Sequence, residues 1–218
     1  MSLMDIYSFL SVPQIYSFMR FIIGGTKFSK ILVNTYIQPK TGDKILDIGC
    51  GPGDILESLP SVDYWGFDLN EKYINSARKR FSNCGQFFCK KVSRDAIPGE
   101  NQFDIVMACG VFHHLTDEEA DEMFELAHTL LKPDGRFITF DGVFIPKQSF
   151  FARLLISHDR GKFVRTEDQY QKIAQKYFSN TQSTIRSDLL RLPYTHIIIV
   201  CKKKIGRSLG ISEDLRIS

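Results

Sequence analysis

Two adjacent histidines are the side chains of this 218-residue chain best suited to acid–base chemistry. His113 and His114 stand in the segment CGVFHHL, which ends an apolar run typical of a buried strand. An imidazole titrates near neutral pH and can accept a proton from a hydroxyl or an amine. The alternative is structural, with one ring capping the helix that begins near Thr116 or packing against its neighbours. Both rings are predicted at the mouth of a sheet.

A glycine-rich turn is the second feature with chemical meaning. The segment ILDIGCGPGD, residues 45–54, ends an apolar strand in three glycines and a proline. Glycine has no Cβ, so a ligand can lie directly against the backbone of such a turn. Asp68 ends the next predicted strand, about 20 residues after Asp47, where a carboxylate usually binds ribose hydroxyls. These features together predict a nucleoside site at the carboxyl edge of a parallel sheet.

The glycine spacing separates two classes of nucleoside ligand. Dinucleotide sites use G-x-G-x-x-G, whereas this turn reads G-x-G-x-G and has Asp54 in the third-glycine position. A carboxylate there would repel a pyrophosphate, which binds at a bare helix N-terminus. Asp47 adds a second negative charge. S-adenosylmethionine (SAM) has no phosphate and a cationic amino-acid end, so the turn favours SAM over the cofactor of an NAD(P)-dependent oxidoreductase.

Alternating strand-like and helix-like segments surround these residues. Predicted strands are KILDIG, YWGFD, QFFCKKV, FDIVMAC and RFITFD, and DILESL, NEKYINSARKRF and DEEADEMFELAHTLLK are predicted helices. The last of these opens with a capping box, Thr116 to Glu119. After QSFFARLL and TEDQYQKIAQKYF, both helix-like, the short link RLPY joins STIRSDLL to THIIIVCKK and favours an antiparallel pair. We therefore predict an α/β fold: a doubly wound, mostly parallel seven-stranded sheet with an antiparallel C-terminal hairpin and helices on both faces.

The chain resembles the class I SAM-dependent methyltransferases. ILDIGCGPG is similar to the family's first motif, GFD to the acidic end of its second strand, and FDIVMACGVFHHL and LLKPDGRFITFD to its fourth and fifth strands. The resemblance covers about residues 41–141, with four motifs in the family's order. It implies SAM as the cofactor and S-adenosylhomocysteine as the product.

The resemblance also implies a set of cofactor-binding residues. It places the residues that follow the first strand near the methionine part of SAM and those that end the second strand near the ribose and adenine. The residues that end the fourth strand are placed along the wall of the pocket. After the third strand, a serine stands where relatives often have an acid, and the choice between Ser93 and Asp95 as the polar partner of the adenine stays open. The predicted residues are Asp47, Gly49, Cys50, Gly51, Asp68, Leu69, Ser93, Arg94, Cys109 and Gly110.

The resemblance also bears on metal use and on the acceptor. Ubiquinone-type O-methyltransferases carry a Glu–His pair at the position of His113 and His114 and another acid at position 110, which is glycine here. The sequence has no Cys/His cluster with zinc spacing, so we expect no metal. The Asp/Asn-Pro-Pro-Tyr motif of many amino-group methyltransferases of nucleic acids and proteins is absent, which argues against such substrates.

Length and composition bound the remaining expectations. The net charge of +3 does not call for a nucleic-acid partner, and five scattered cysteines fit a reducing compartment. The N-terminal segment is apolar but too short and polar for a spanning helix, so we expect a cytoplasmic protein. We expect a helical cap or lid at 1–40, a SAM-binding domain at 41–204 with a substrate-side insertion at about 142–178, and a tail at 205–218.

The leading hypothesis is a SAM-dependent methyltransferase that acts on an oxygen or nitrogen of a small molecule, of apolar or aromatic character. His114 and His113 are the catalytic candidates. Two alternatives stay open: a non-catalytic SAM-binding partner subunit, and an RNA or protein methyltransferase. Acceptor identity, pathway and oligomeric state stay open as well.

Overall fold

A single mixed sheet of eight strands organises the computed structural model, which describes residues 25–158 and 162–204. Its strand order is β3-β2-β1-β4-β5-β8-β7, with β6 paired to β5; β8 runs antiparallel to both β5 and β7, and the other pairs are parallel. The strands are β1 Lys44–Ile48, β2 Asp63–Asp68, β3 Gln86–Cys89, β4 Phe103–Cys109, β5 Leu131–Phe144, β6 Arg165–Thr166, β7 Asn180–Arg186 and β8 His196–Lys202. The predicted fold class, including the antiparallel C-terminal hairpin, is confirmed.

Helices cover both faces of the sheet. Residues on alternate positions of each strand point to opposite faces, so Leu46 and Ile45 of β1 enter two separate hydrophobic cores. The helices are α1 Gly25–Ile31, which continues as a π-helical segment Leu32–Ile37, α2 Glu71–Arg80, α3 Asp117–Leu130, α4 Phe150–Ser157 and α5 Glu167–Tyr177. Helices α3 and α5 pack on one face, and α2 and the end of α1 pack on the other.

Several element boundaries differ from the sequence prediction. DILESL forms only a short 3₁₀ helix, Asp54–Ser58, because Gly53 precedes it in a left-handed conformation and Pro60 follows closely. Strand β3 stops at Cys89, and α4 begins at Phe150 and continues to Ser157. Of the predicted helical cap at 1–40, residues 1–24 lie outside the described residues, and the remainder contains α1 and its extension.

The carboxyl ends of β1, β2, β4 and β5 meet at one edge of the sheet, and this edge positions the predicted site. The turn that follows β1 is tied to its neighbour, because the N–H groups of Gly49 and Cys50 both donate to the Phe67 carbonyl, at 2.8 and 3.0 Å. The predicted capping box is confirmed: Thr116 accepts the Glu119 N–H at 3.2 Å, and the Glu119 carboxylate accepts the Thr116 N–H at 3.0 Å. It starts α3 directly after the two histidines.

Gly49 is required where the turn after β1 approaches the turn after β4. Its φ of 75° is a left-handed conformation, and a Cβ placed there would lie 2.5 Å from Val111 Cγ2. Gly51 has a φ of 55°, but a Cβ there would meet no atom within 4 Å. Both positions disfavour an L side chain, and only the first also lacks room for one.

We predict different costs for the two Gly→Ala substitutions. Gly51→Ala should lower the free energy of unfolding by about 1–2 kcal/mol, the cost of a left-handed alanine. Gly49→Ala should cost about 2–4 kcal/mol, since displacement of Val111 adds to the same strain. Urea unfolding of both variants beside the parent protein measures the difference, and equal losses would contradict the contact with Val111.

Candidate active site

The carboxylate of Asp68 holds the glycine turn against the end of β2. Asp68 Oδ2 accepts the Gly51 N–H at 2.9 Å, and Oδ1 accepts the Asn70 N–H at 2.7 Å. The Asn70 side chain in turn caps α2. Each carboxylate oxygen has a second lone pair that can accept another hydrogen bond. Asp68 is therefore placed both to fix the turn and to bind a ligand hydroxyl.

A cavity of about 510 Å³ opens at the carboxyl edge of the sheet beside this carboxylate. Seven of the residues predicted from the sequence line it, and the neighbouring Leu115 and Met123 add apolar surface. Leu69 is 73% exposed, which leaves its side chain available to cover a flat ring. The seven predicted residues are Gly49, Gly51, Asp68, Leu69, Cys109, Gly110 and His114.

Asp47 and Cys50 lie behind the turn, around a smaller cavity of about 60 Å³ that Gly49, Gly51 and Cys109 also line. Asp47 is buried, and its Oδ2 accepts the Tyr64 hydroxyl at 2.6 Å. Within the described part of the chain, Asp47 Oδ1 has no hydrogen-bond partner. Burial raises the pKa of Asp47 to about 7, against the lowering effect of Tyr64 and with a further rise from Asp68.

Asp54 is neutralised by a partner that the sequence argument did not consider. Its buried carboxylate pairs with Arg80, the last residue of α2, which also contacts Glu57. Repulsion between Asp54 and a pyrophosphate is therefore weaker than expected from sequence. Asp47 is the carboxylate of this turn that keeps an unpartnered oxygen for a cationic ligand group, judged over the described residues.

Ser93 and Arg94 lie in a neighbouring groove of about 310 Å³, which shares Val92 and Leu115 with the main cavity. Ser93 Oγ accepts the Ala96 N–H at 3.2 Å. The Arg94 guanidinium donates to Glu125 at 3.1 Å, on α3. The structure thus places these two predicted residues beside the main cavity, and the preceding residues Lys90, Lys91 and Val92 line it.

His113 and His114 occupy different environments in one 3₁₀ turn, Phe112–His114. His114 lines the main cavity. His113 is buried, and its Nδ1 lies 2.7 Å from Asp141 Oδ1, which also accepts the His113 backbone N–H at 3.2 Å. Donation from Nδ1–H to a carboxylate makes Nε2 the basic nitrogen of the ring. The two imidazole centroids are 4.1 Å apart.

Sequence reasoning missed Asp141 as a site residue. Asp141 is 1% exposed, and burial raises the pKa of this carboxyl while its hydrogen bonds with His113 oppose the rise. Its Oδ2 has no hydrogen-bond partner among residues 25–158 and 162–204. A signal was available, because Asp141 ends the predicted strand RFITFD, and the ends of neighbouring parallel strands meet at ligand sites.

Arg165 was also missed, and it fixes the histidine turn from the outside. This arginine is 4% exposed and lies in the segment HDRGKFVR of the insertion after β5. Its guanidinium donates to the carbonyls of Phe112 and Leu115, at 2.8 and 2.7 Å, and to the Asp117 carboxylate at 2.8 Å. The Phe163 N–H donates to the His113 carbonyl at 3.0 Å. These bonds attach the insertion after β5 to the site.

The described residues contain neither a metal-binding cluster nor a membrane-spanning helix. In the described ranges, no three His, Cys, Asp or Glu side chains group as a metal site would require. Across the same residues, no helix has the length and apolar character needed to span a bilayer.

Comparisons with known proteins agree with this geometry. Residues 45–135 match the family model described as a methyltransferase domain. An uncharacterized methyltransferase of Anoxybacillus flavithermus is 25% identical over 143 residues, which is 63% of this chain and 64% of the relative. A ubiquinone biosynthesis O-methyltransferase of Acinetobacter baylyi is 29% identical over 153 residues, which is 62% of each chain. This chain therefore spans somewhat under two thirds of the length of both relatives.

Solved structures show the same fold. A Haemonchus contortus phosphoethanolamine N-methyltransferase 2 in complex with S-adenosyl-L-methionine superposes with a TM-score of 0.65 and 17% identity, over 83% of this chain and 53% of that one. The four sequence motifs, the sheet order and the match over residues 45–135 agree: this part of the chain is similar to the methyltransferase domain of the class I SAM-dependent enzymes.

Proposed function

We propose that this chain transfers a methyl group from SAM to an oxygen or nitrogen of a small-molecule acceptor. One observation carries the proposal: the cavity built by the glycine turn and Asp68 extends to His114, next to the buried pair His113–Asp141. A nucleoside-sized site and a proton acceptor therefore share one edge of the sheet.

The residues present fit SAM as the cofactor. The 510 Å³ cavity lies within the usual range for small-molecule sites, about 300–1,000 Å³. Asp68 can accept from ribose hydroxyls, Leu69 can cover the adenine, and the unpartnered Oδ1 of Asp47 suits the α-ammonium group. When bound, SAM supplies a methyl group already activated by its sulfonium leaving group.

The protein's part is to align the acceptor, exclude water and remove a proton. An acceptor O–H or N–H that gains a methyl group must lose its proton, and we assign that proton to Nε2 of His113 or to the ring of His114. Asp141 holds His113 in the required tautomer and stabilises the imidazolium that forms. Arg165 keeps the turn in place by binding its carbonyl groups.

Two segments are proposed to choose the acceptor: residues 1–40 and the insertion at about 142–178. The relative named as a ubiquinone biosynthesis O-methyltransferase supports an oxygen acceptor in a small molecule. We also propose a cytoplasmic location, since five scattered cysteines fit a reducing compartment. The proposal that the chain is instead a non-catalytic partner subunit predicts SAM binding without turnover. An RNA or protein substrate predicts a continuous basic surface beside the cavity.

Calorimetric titration tests the cofactor assignment. We expect SAM and S-adenosylhomocysteine to bind and NAD not to bind. Asp68→Ala should weaken SAM binding by about 10- to 100-fold, since a hydrogen bond to a charged group contributes about 1.5–3 kcal/mol. Asp63→Ala, at the other end of β2, is the matched control and should bind as the parent does. NAD binding, or SAM binding indifferent to Asp68, would contradict the assignment.

The raised pKa of Asp47 predicts proton-linked SAM binding. Below pH 7 the carboxyl is protonated, so SAM affinity should fall by up to about tenfold for each pH unit below 7.

The stability of the protein without SAM should change in the opposite sense. The contribution of Asp47 to the free energy of unfolding is greatest below the unfolded pKa of 3.8 and falls by about 1.4 kcal/mol per pH unit as the pH rises to about 7. Asp47→Asn should bind SAM weakly and show neither slope. Titration and urea unfolding from pH 5 to about 8 check both, and an unchanged slope in the variant would exclude Asp47 as its source.

The histidine pair is tested by SAM turnover with a panel of phenols, carboxylates, amines and quinols. Once an acceptor is found, His113→Ala and His114→Ala are compared to identify which histidine is the base. The variant that lacks the general base should have a kcat lowered by about 10²- to 10⁴-fold. Asp141→Asn should lower kcat and leave the Kd for SAM unchanged. His128→Ala, on α3, is the control. Full activity in both active-site histidine variants would refute acid–base catalysis by this pair.

A further inference from the structure

Helix α4 presents an apolar surface to solvent. We propose that this surface docks the protein onto an anionic lipid bilayer. The apolar patch consists of Phe150, Phe151, Leu154 and Leu155, which are 74%, 68%, 42% and 38% exposed. Seven large hydrophobic side chains are exposed over the described residues, and four of them belong to this patch.

The patch is a regular feature of a formed helix. Its members recur at positions i, i+1, i+4 and i+5, which lie on one side of a helix of 3.6 residues per turn. Ala152 and Ile156, on the other side, are buried against the protein. Ser149 caps the helix, because its hydroxyl accepts the Ala152 N–H at 3.2 Å. Helix α4 therefore packs on the protein through its two buried residues, and its largest side chains point outward.

Cationic side chains flank the patch. Lys147, Arg153 and Lys162 are exposed, and the Arg153 guanidinium lies 5.2 Å from the Phe144 ring centroid. Between residues 147 and 163 the sequence has four Lys or Arg and one acid, Asp159. The nearest acids outside this span, Glu167 and Asp168 at the start of α5, share a groove with Arg153. Aromatic and aliphatic side chains bordered by Lys and Arg are typical of helices that lie in the interface of anionic membranes.

The size of the patch argues against a second copy of this chain as its partner. An eight-residue helix is about 12 Å long, which is short for the roughly 800 Å² per partner of a stable protein interface. Residues 1–24 are another possible partner of the patch, because this segment is apolar. Its only charged residues are Asp5 and Arg20, so it would not explain why the patch is bordered by cationic side chains. A bilayer accounts for both the apolar centre and the charge.

The patch lies at the same edge of the sheet as the cavity. Helix α4 follows the carboxyl end of β5, and the insertion returns to the site where the Phe163 N–H donates to the His113 carbonyl. Docking through α4 would therefore bring the cavity close to the lipid interface and favour an amphiphilic acceptor drawn from the bilayer. This statement about the acceptor rests on the proposed function, whereas bilayer binding requires no catalysis.

Vesicle binding of the full chain tests the inference. The probes are vesicles of phosphatidylcholine alone and of phosphatidylcholine with about a third phosphatidylglycerol. We expect binding to the anionic vesicles, weakened by salt, and at least tenfold weaker binding for the double variant Phe150→Ser/Phe151→Ser. Lys147→Glu/Arg153→Glu should also weaken it. The matched controls are Leu192→Ser, an exposed leucine outside the insertion, and Lys79→Glu on α2. Because all the altered side chains are exposed, thermal unfolding should be unchanged.

A tryptophan reporter separates the possible occupants of the patch. The chain has one tryptophan, Trp65, which packs beside Phe88 and Phe103. In Phe151→Trp, a blue shift of the added indole's emission on mixing with anionic vesicles, with quenching by brominated lipid, would support docking. If the emission of the added indole is already blue-shifted without vesicles and does not change when they are added, the docking proposal is overturned. Coverage of the patch by residues 1–24 would then explain the result. Dimers that the double Ser variant dissociates, without vesicle binding, would overturn it in favour of self-association. Asp68→Ala, which is expected to weaken SAM binding, should still bind the anionic vesicles. The test of docking is therefore independent of the proposed reaction.

Discussion

The site depends on the carboxylate of Asp68, which joins the glycine turn after β1 to the start of α2. By accepting the N–H groups of Gly51 and Asn70, it holds the turn after β1 against the start of α2. Three residues of the turn are glycines, so few side chains are available to fix it by packing. A charged acceptor at the end of the neighbouring strand is a physically economical solution, since hydrogen bonds to a carboxylate are stronger than neutral ones. The same group is then in place to meet a ribose.

The three carboxylates near the turn have different roles because their surroundings differ. Asp68 is held by backbone donors at the rim, and Asp54 is buried but neutralised by Arg80. Asp47 is buried with one hydroxyl donor and one unpartnered oxygen among the described residues, so its proton is the one most open to exchange for a ligand cation. A site that looks uniformly acidic in sequence therefore contains three carboxylates in three different environments, and the proposed function gives Asp68 to ligand hydroxyls and Asp47 to a positive charge.

The acceptor side of the site is held together by the insertion after β5. Arg165 and Phe163 bind the carbonyl groups of the histidine turn, while Asp141 binds its imidazole from the sheet. The turn is thus fixed from both sides, and this arrangement suits the proposed general base, which would have to meet its acceptor in one orientation. Helix α4 belongs to this same insertion, so the apolar patch is connected through a short stretch of chain to the residues that hold the histidine turn.

Much of the architecture could be predicted from sequence because it is encoded locally. The glycine spacing, the acidic end of β2, the alternation of strands and helices and the capping box at Thr116 each depend on residues within a few positions of one another. These features predicted the fold class, the order of the motifs and seven of the residues that line the main cavity. Boundaries were less accurate where a Pro or Gly shortened an element, as in the 3₁₀ segment Asp54–Ser58.

Only the tertiary structure decided which residues far apart in the chain pair with one another. Asp141 meets His113 across 28 residues, Arg80 meets Asp54 across 26, and Arg165 reaches the Phe112 carbonyl across 53. Neither periodicity nor spacing encodes such contacts, because they arise from where strand ends and loops converge after folding. Sequence by itself identified a SAM-type turn and two candidate histidines. Folding decided which histidine is buried against a carboxylate, which one faces the cavity, and which acid keeps an oxygen for the ligand, because burial and partners set the charge that each group can carry.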